Sequence, residues 1–384
     1  MLDFLLRSIK IITNKSILKT KLLSEIYYFF FFKNEKLKKA FLITDNNIDD
    51  KNLDFIKRIC KFYNYCNDKN DYSDLGLWDK IFYEKSKLKS YKFVNTKKKH
   101  SHKQFHDLLI NHNYRELYWY FNNFGSLEIS SGTSTNLFDE FFYRDFLTFE
   151  KSLNLNEENI SILKKKNESL GGYNTSDDEF VPYAGPRTFY AAKVINGFKK
   201  KNILEIGSGF GLLPYYLFNK LNFKGNYFNL DLPLISVIFA YFNFQNLSSD
   251  IKIRFINELD QNEINDIDNL KKTIVCVDHN FFYKQNLSDI DLFLNIDSFS
   301  EFSSTNLKKI IERIQVNKSK LFFSINHELE YKFYNPKKKE NEVHQNLSKL
   351  IDNYFKNSLK IRYKKIIKNF DRHHSFKEIL FEIN

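Results

Sequence analysis

The stretch KNILEIGSGFGLLPYYLFNKL, residues 201–221, puts three glycines within five positions, and a carboxylate, Glu205, stands two residues ahead of the first. Elsewhere the chain is sparing. It has eleven glycines in 384 residues, and eight of them fall in the window 171–233, with four of the five prolines. Glycine concentrates where backbone must turn tightly or pass close to another group. The apolar run 202–207 reads as a strand, the glycines as a loop, and the apolar residues after Gly211 as a helix. A strand feeding a glycine loop and then a helix makes a ligand cradle in a doubly wound sheet, where ligands sit beyond the carboxyl ends of the strands.

Working outward, the same alternation continues. Further strand candidates are NYFNLDL (226–232), KIRFIN (252–257), TIVCVD (273–278), DLFLNID (291–297) and KLFFSIN (320–326). Pro233 opens an almost wholly apolar helix, LISVIFAYFNF, because its fixed φ and missing N–H suit a first helical turn. SSTNLKKIIERIQV (303–316) begins with capping serines and carries Leu307, Ile310, Ile311 and Ile314 on one face. Strands alternating with helices predict a mostly parallel sheet. KIRYKKIIK (360–368) and FKEILFEI (376–383), joined by a polar bend holding His373 and His374, read as a closing hairpin. Ahead of the glycine window the pattern is helical, with KQFHDLLINHNYRELYWYFNNF (103–124) as its clearest helix. The fold class expected is α/β, a doubly wound Rossmann-like, mostly parallel sheet over 171–384, with a mainly helical accessory or substrate domain over 1–170.

Composition narrows the function classes. The content is 42% hydrophobic and 17% aromatic, ample for a core. The 59 Lys and Arg against 47 Asp and Glu leave a net charge of +12. A basic surface suits nucleic acid, anionic lipid or phosphorylated substrates. The same excess is also what a Lys- and Asn-rich chain carries on any solvated surface. Cys60, Cys66 and Cys276 contain no C-x-x-C, so neither a disulfide framework nor a zinc site follows, and a reducing cytoplasmic setting fits. The N-terminal apolar run Ile26–Phe32 is far shorter than the roughly 20 residues needed to span a bilayer, which leaves at most peripheral membrane contact. His100, His102, His106 and His112 sit in or just after KKKHSHK, a cationic setting poor in acidic ligands, so no metal is expected.

The spacing of the loop selects its ligand. Dinucleotide sites prefer G-x-G-x-x-G with a pyrophosphate on the helix terminus. Here the order is Gly207-Ser208-Gly209-Phe210-Gly211, and Glu205 would repel a pyrophosphate while attracting a cation. S-adenosylmethionine carries no phosphate and has an amino group and a sulfonium. Asp231, twenty residues beyond Gly211 at the end of the next strand, is placed to accept both ribose hydroxyls. The candidate cofactor site is Glu205, Gly207, Ser208, Gly209, Gly211, Asp231 and Leu232. Asp278 is a candidate for adenine, and Arg187 for the donor's carboxylate or a substrate phosphate.

ILEIGSGFG resembles the first motif of class I S-adenosylmethionine-dependent methyltransferases. More narrowly, YAGPRTFYAAKVI, LEIGSGFGLLPYYL, LDLPLISVIFAYF and NIDSFSEF together resemble the sugar O-methyltransferase family of bacterial polysaccharide gene clusters. The resemblance covers roughly residues 170–330. It implies methyl transfer to a sugar hydroxyl, with a sugar, nucleotide-sugar or glycan as partner. It also favours 273–278 over 252–257 as the third strand of the fold, a choice the residues themselves leave open.

Methyl transfer to a hydroxyl needs alignment, exclusion of water and a proton acceptor. Asp297 follows the strand at 291–297, where this fold places its catalytic residue. His279 and His327 follow the strands at 273–278 and 320–326. Asp297 is the first candidate base, with a helix-capping role as its structural alternative. The place after that strand reads Asp297-Ser298-Phe299-Ser300 and lacks the proline-bearing turn of base N-methylating enzymes, which makes a nucleic-acid substrate unlikely. An RNA methyltransferase and a non-catalytic scaffold of a glycan assembly complex are the competing readings.

Overall fold

The structure is a computed structural model. It describes residues 48–69, 91–92, 99–100, 102–123, 172–174, 180–182, 185–317, 320–327, 331–335, 339–344, 347–354, 358–371 and 374–384. The N-terminal apolar run Ile26–Phe32 lies outside these residues.

An eight-stranded sheet forms the centre. Its strands are β1 (Asn202–Ile206), β2 (Asn226–Leu230), β3 (Lys252–Phe255), β4 (Thr273–Val277), β5 (Leu292–Ile296), β6 (Leu321–His327), β7 (Leu359–Asp371) and β8 (His374–Ile383). Their order across the sheet is β7-β8-β6-β5-β1-β2-β4-β3. Seven strands point the same way, and β8 alone runs antiparallel, to both of its neighbours β6 and β7. Strand β4, not β3, lies beside β2, so 273–277 is the third strand counting from β1 itself on that side, and 252–255 forms the edge. All five residues of β1, β2 and β4 are buried, as strands covered on both faces must be.

The helices are α1 (Asp50–Lys69), α2 (His102–Ile110), α3 (Tyr114–Asn123), α4 (Gly185–Gly197), α5 (Leu212–Tyr215, continued by a π turn over Tyr216–Lys220), α6 (Pro233–Asn246), α7 (Gln261–Asn265), α8 (His279–Lys284), α9 (Ser304–Gln315) and α10 (Leu347–Tyr354). Successive side chains of a strand point to opposite faces. Tyr227 of β2 stacks on Phe239 of α6, and its neighbour Phe228 on Phe281 of α8, so α6 and α8 cover opposite faces. Ser303 caps α9 by accepting the Asn306 N–H at 3.2 Å. The stretch 103–124 is two helices rather than one. His112 takes a positive φ of 53°, which ends α2, and the Asn113 side chain accepts the Glu116 N–H to start α3.

The described part of the N-terminal region is built onto the sheet. Phe55 of α1 stacks on Phe244 of α6 with centroids 3.9 Å apart, and Phe62 stacks on Phe255 of β3 at 4.8 Å. Phe121 of α3 stacks on Tyr241 of α6 at 4.2 Å. Arg58 grips both Glu258 oxygens at 2.6 and 2.8 Å and also donates to the Ile253 carbonyl at 2.7 Å. One continuous apolar core therefore runs from α1–α3 into the sheet.

Candidate functional site

Strands β2 and β5 flank β1 on opposite sides, so the loops leaving β1 diverge from its neighbours and open a crevice at its carboxyl end. A cleft of about 270 Å³ lies there. The three loop glycines all take positive φ, at 76°, 58° and 92°. A Cβ on Gly207 would lie 2.1 Å from Ser298 Oγ, and one on Gly211 would lie 2.2 Å from Asn243 Nδ2 and 2.9 Å from Phe239. These two glycines let the loop lie against β5 and α6. Gly209 differs, since a Cβ there meets nothing within 4 Å. Its bare backbone borders the open cleft.

Two carboxylates frame that loop. Asp231, just past β2, accepts the Gly209 N–H at 2.8 Å and the Leu232 N–H at 2.7 Å. It keeps some exposure to the cleft, yet the protein packed round it pushes its pKa up to about 7, against the lowering effect of those N–H groups. Glu205 is buried on β1, and its Oε2 accepts the Tyr227 hydroxyl. Burial pushes its pKa up to about 8, with the tyrosine hydrogen bond opposing and the Asp231 charge adding to the rise. Ser208 donates to Asn229, a buried residue of β2. An uncompensated buried carboxylate favours its neutral form unless a cation approaches.

The opposite wall comes from the segment after β5. Asn295 Nδ2 donates to the Ile206 carbonyl of β1 at 2.7 Å and to Ser298 Oγ at 2.5 Å. Its Oδ1 accepts Asn326 Nδ2 at 2.7 Å, and that amide also donates to Ser324. This buried amide cluster clamps β1, β5 and β6 together beneath the cleft. Above it Asp297 turns with a φ of 55° and forms an ion pair of 2.7 Å with Arg187, in the first turn of α4.

Of the residues singled out in the sequence, Glu205, Gly207, Ser208, Gly209, Gly211, Asp231, Leu232, Arg187, His279 and Asp297 all line this one cleft. Two do not. Asp278 is buried and caps α8, accepting the Phe281 N–H at 2.9 Å. His327 ends β6 on the far side of β5 from the loop, its ring edge-on to Phe376 at 5.8 Å. Burial pushes the His279 pKa down to about 4, which keeps that ring neutral. Asp297 does not cap α9, since Ser303 does. His106 hydrogen-bonds Tyr63 at 2.5 Å and His112 hydrogen-bonds Asn64 at 2.8 Å, while the side chains of His100, His102, His373 and His374 lie outside the described residues. Among the described residues no cluster of His, Cys, Asp or Glu is fit to hold a metal, and no helix is long and apolar enough to cross a membrane. Sequence reading missed Tyr227, Asn229, Asn295, Ser298 and Asn326, whose only signal was polar character inside otherwise apolar strands or just after them.

No protein-family model matches the chain, and no curated protein matches it in sequence. Solved structures resemble it over about half of its length, at low sequence identity. The glycopeptide N-methyltransferase MtfA, in complex with (S)-adenosyl-L-homocysteine, is 8% identical over 51% of this chain and 87% of its own, with a TM-score of 0.33. The 1,6-didemethyltoxoflavin-N1-methyltransferase of Burkholderia thailandensis is 10% identical over 51% and 78%, with a TM-score of 0.34. The PH0226 protein of Pyrococcus horikoshii OT3 is 10% identical over 55% and 93%, with a TM-score of 0.35. The strand order, with an antiparallel strand inserted between β6 and β7 in an otherwise parallel sheet, gives this chain a doubly wound, Rossmann-like fold.

Proposed function

We propose that this chain is an S-adenosylmethionine-dependent O-methyltransferase acting on a sugar hydroxyl of a nucleotide-sugar, lipid-linked or polymeric glycan. The observation that carries the reading is the bare backbone of Gly209 at an open cleft, with the carboxylates of Glu205 and Asp231 on either side of the loop. When bound, the donor supplies a methyl group already activated on a sulfonium. The chain's own residues then have four tasks. Asp231, held in place by two backbone N–H groups, accepts the ribose hydroxyls. Glu205 supplies negative charge for a cationic ligand. Arg187 meets the donor's carboxylate. Asp297 accepts the acceptor hydroxyl's proton, with the neutral ring of His279 as the second proton acceptor in the same cleft. Phe302, on the same wall, offers an apolar face against which a sugar ring packs. In this reading residues 171–384 carry the chemistry, and residues 1–170 form the accessory part of the molecule.

Calorimetry with S-adenosylmethionine and S-adenosylhomocysteine tests the donor site. Losing hydrogen bonds to a charged group costs about 1.5–3 kcal/mol each, so Asp231→Ala should weaken both ligands by about tenfold or more. Unchanged affinity in a folded Asp231→Ala protein rejects the site. Incubation with labelled donor and fractionated cell extract tests the acceptor. Label in the glycan fraction supports the reading, and label in RNA overturns it.

A further inference from the structure

The two acids of the cleft are held by different means. Asp231 receives backbone N–H groups from Gly209 and Leu232, which no substitution at another side chain removes. Glu205 is 3% exposed and receives the hydroxyl of Tyr227. Tyr227 is wholly buried on β2 with its ring stacked against Phe239 of α6, so its hydroxyl cannot turn to solvent. A buried carboxylate ionises only at a cost unless a donor faces it. The other titratable groups around the cleft are Asp231, Asp297 and Glu301, which oppose a further negative charge, and Arg187 and His279. Arg187 is ion-paired with Asp297 and, in the donor reading, faces the donor's carboxylate rather than Glu205.

We infer that Tyr227 is a positioning residue of the donor site, whose hydroxyl holds the Glu205 carboxylate in place and lets it ionise when a cationic donor arrives. The inference rests on the donor reading above. In the absence of a cation, burial keeps the Glu205 proton on to about pH 8, with Tyr227 opposing that rise. Near neutral pH a sulfonium therefore drives that proton off Glu205 into solvent, and donor binding is linked to proton release.

Tyr227→Phe keeps the ring and deletes the hydroxyl. The experiment measures S-adenosylmethionine and S-adenosylhomocysteine affinity by calorimetry from pH 6.5 to 9, comparing variant with wild type in the same buffers so that the ligands' own titration cancels. Near pH 7 the variant should bind the sulfonium about tenfold more weakly than wild type, one pKa unit being a factor of ten. The neutral thioether should lose less, and the gap should close towards pH 9. Buffers of different ionisation heat should show proton release on S-adenosylmethionine binding in wild type and less in Glu205→Gln. Equal weakening of both ligands at every pH would mean a packing role and would overturn the inference, as would a Tyr227→Phe protein identical to wild type. Should Tyr227→Phe not fold, the proton count of Glu205→Gln decides alone, and a count equal to wild type overturns the inference. If neither ligand binds wild type at any pH, the donor reading itself falls and takes this inference with it.

Discussion

At the scale of single residues, Glu205 couples the site to the stability of the whole chain. Its carboxyl titrates near the ordinary Glu value of 4.5 when unfolded and near 8 when folded, because burial disfavours its charge. Between those limits the folded state holds a proton that the unfolded chain has released. Stability therefore falls as pH rises through this window. Asp231, pushed up to about 7, adds the same slope over its lower part. Each pH step inside the window costs at most about 1.4 kcal/mol from Glu205. Glu205→Gln cannot titrate, so its stability should fall less between pH 5.5 and pH 8 than that of wild type. Thermal melts of the two proteins across that range check this, and parallel curves would contradict the burial-driven shift. The acid at position 205 was legible in the sequence. Its partner Tyr227 was not, because the pairing is diagonal across two strands and depends on their register.

At the scale of elements, the glycine loop divides its labour. Gly207 and Gly211 let the loop pack against Ser298 and against Asn243 and Phe239, whereas Gly209 leaves room at the cleft. Gly209→Ala places a side chain at a φ of 58°, a left-handed conformation costing about 1–2 kcal/mol, and fills the open space. The variant should fold with a lowered melting temperature and lose donor affinity. Gly211→Ala meets Asn243 Nδ2 at 2.2 Å and Phe239 in a buried helix interface, so it should lose folded protein first. Thermal melts and ligand titration on both variants separate the two roles, and a Gly209→Ala protein that binds normally would contradict this division. The loop, the strand before it and the apolar helix after Pro233 were all readable from local pattern. The break in 103–124 was not, since the apolar spacing continues through it and only the turn at His112 marks the stop.

At the scale of the whole molecule, α1–α3 and the sheet share a single core. Burying an aromatic side chain between two elements stabilises both, and truncating a buried Phe to Ala costs about 3–5 kcal/mol. Phe55, 2% exposed and stacked on Phe244, joins α1 to α6. Phe55→Ala should therefore shift the denaturation midpoint of the helices and the sheet together, as one transition. Chemical denaturation followed by far-UV circular dichroism and by aromatic fluorescence checks this. Separate transitions for the two signals would mean that the helices unfold on their own.

The sequence by itself determined the alternation of strands and helices, the glycine loop with its leading acid, the acid ending the next strand, and the closing hairpin. Each is a local pattern of backbone freedom or apolar period, written within a few residues. Tertiary structure alone decided that 273–277 rather than 252–255 lies beside β2, that Arg187 reaches Asp297 across 110 residues, and that Asn295 and Asn326 clamp three strands beneath the cleft. The reason is physical. Which strand lies beside which, and which polar side chain then finds a partner, follows from packing the entire sheet at once, and no short stretch of chain encodes its distant neighbours.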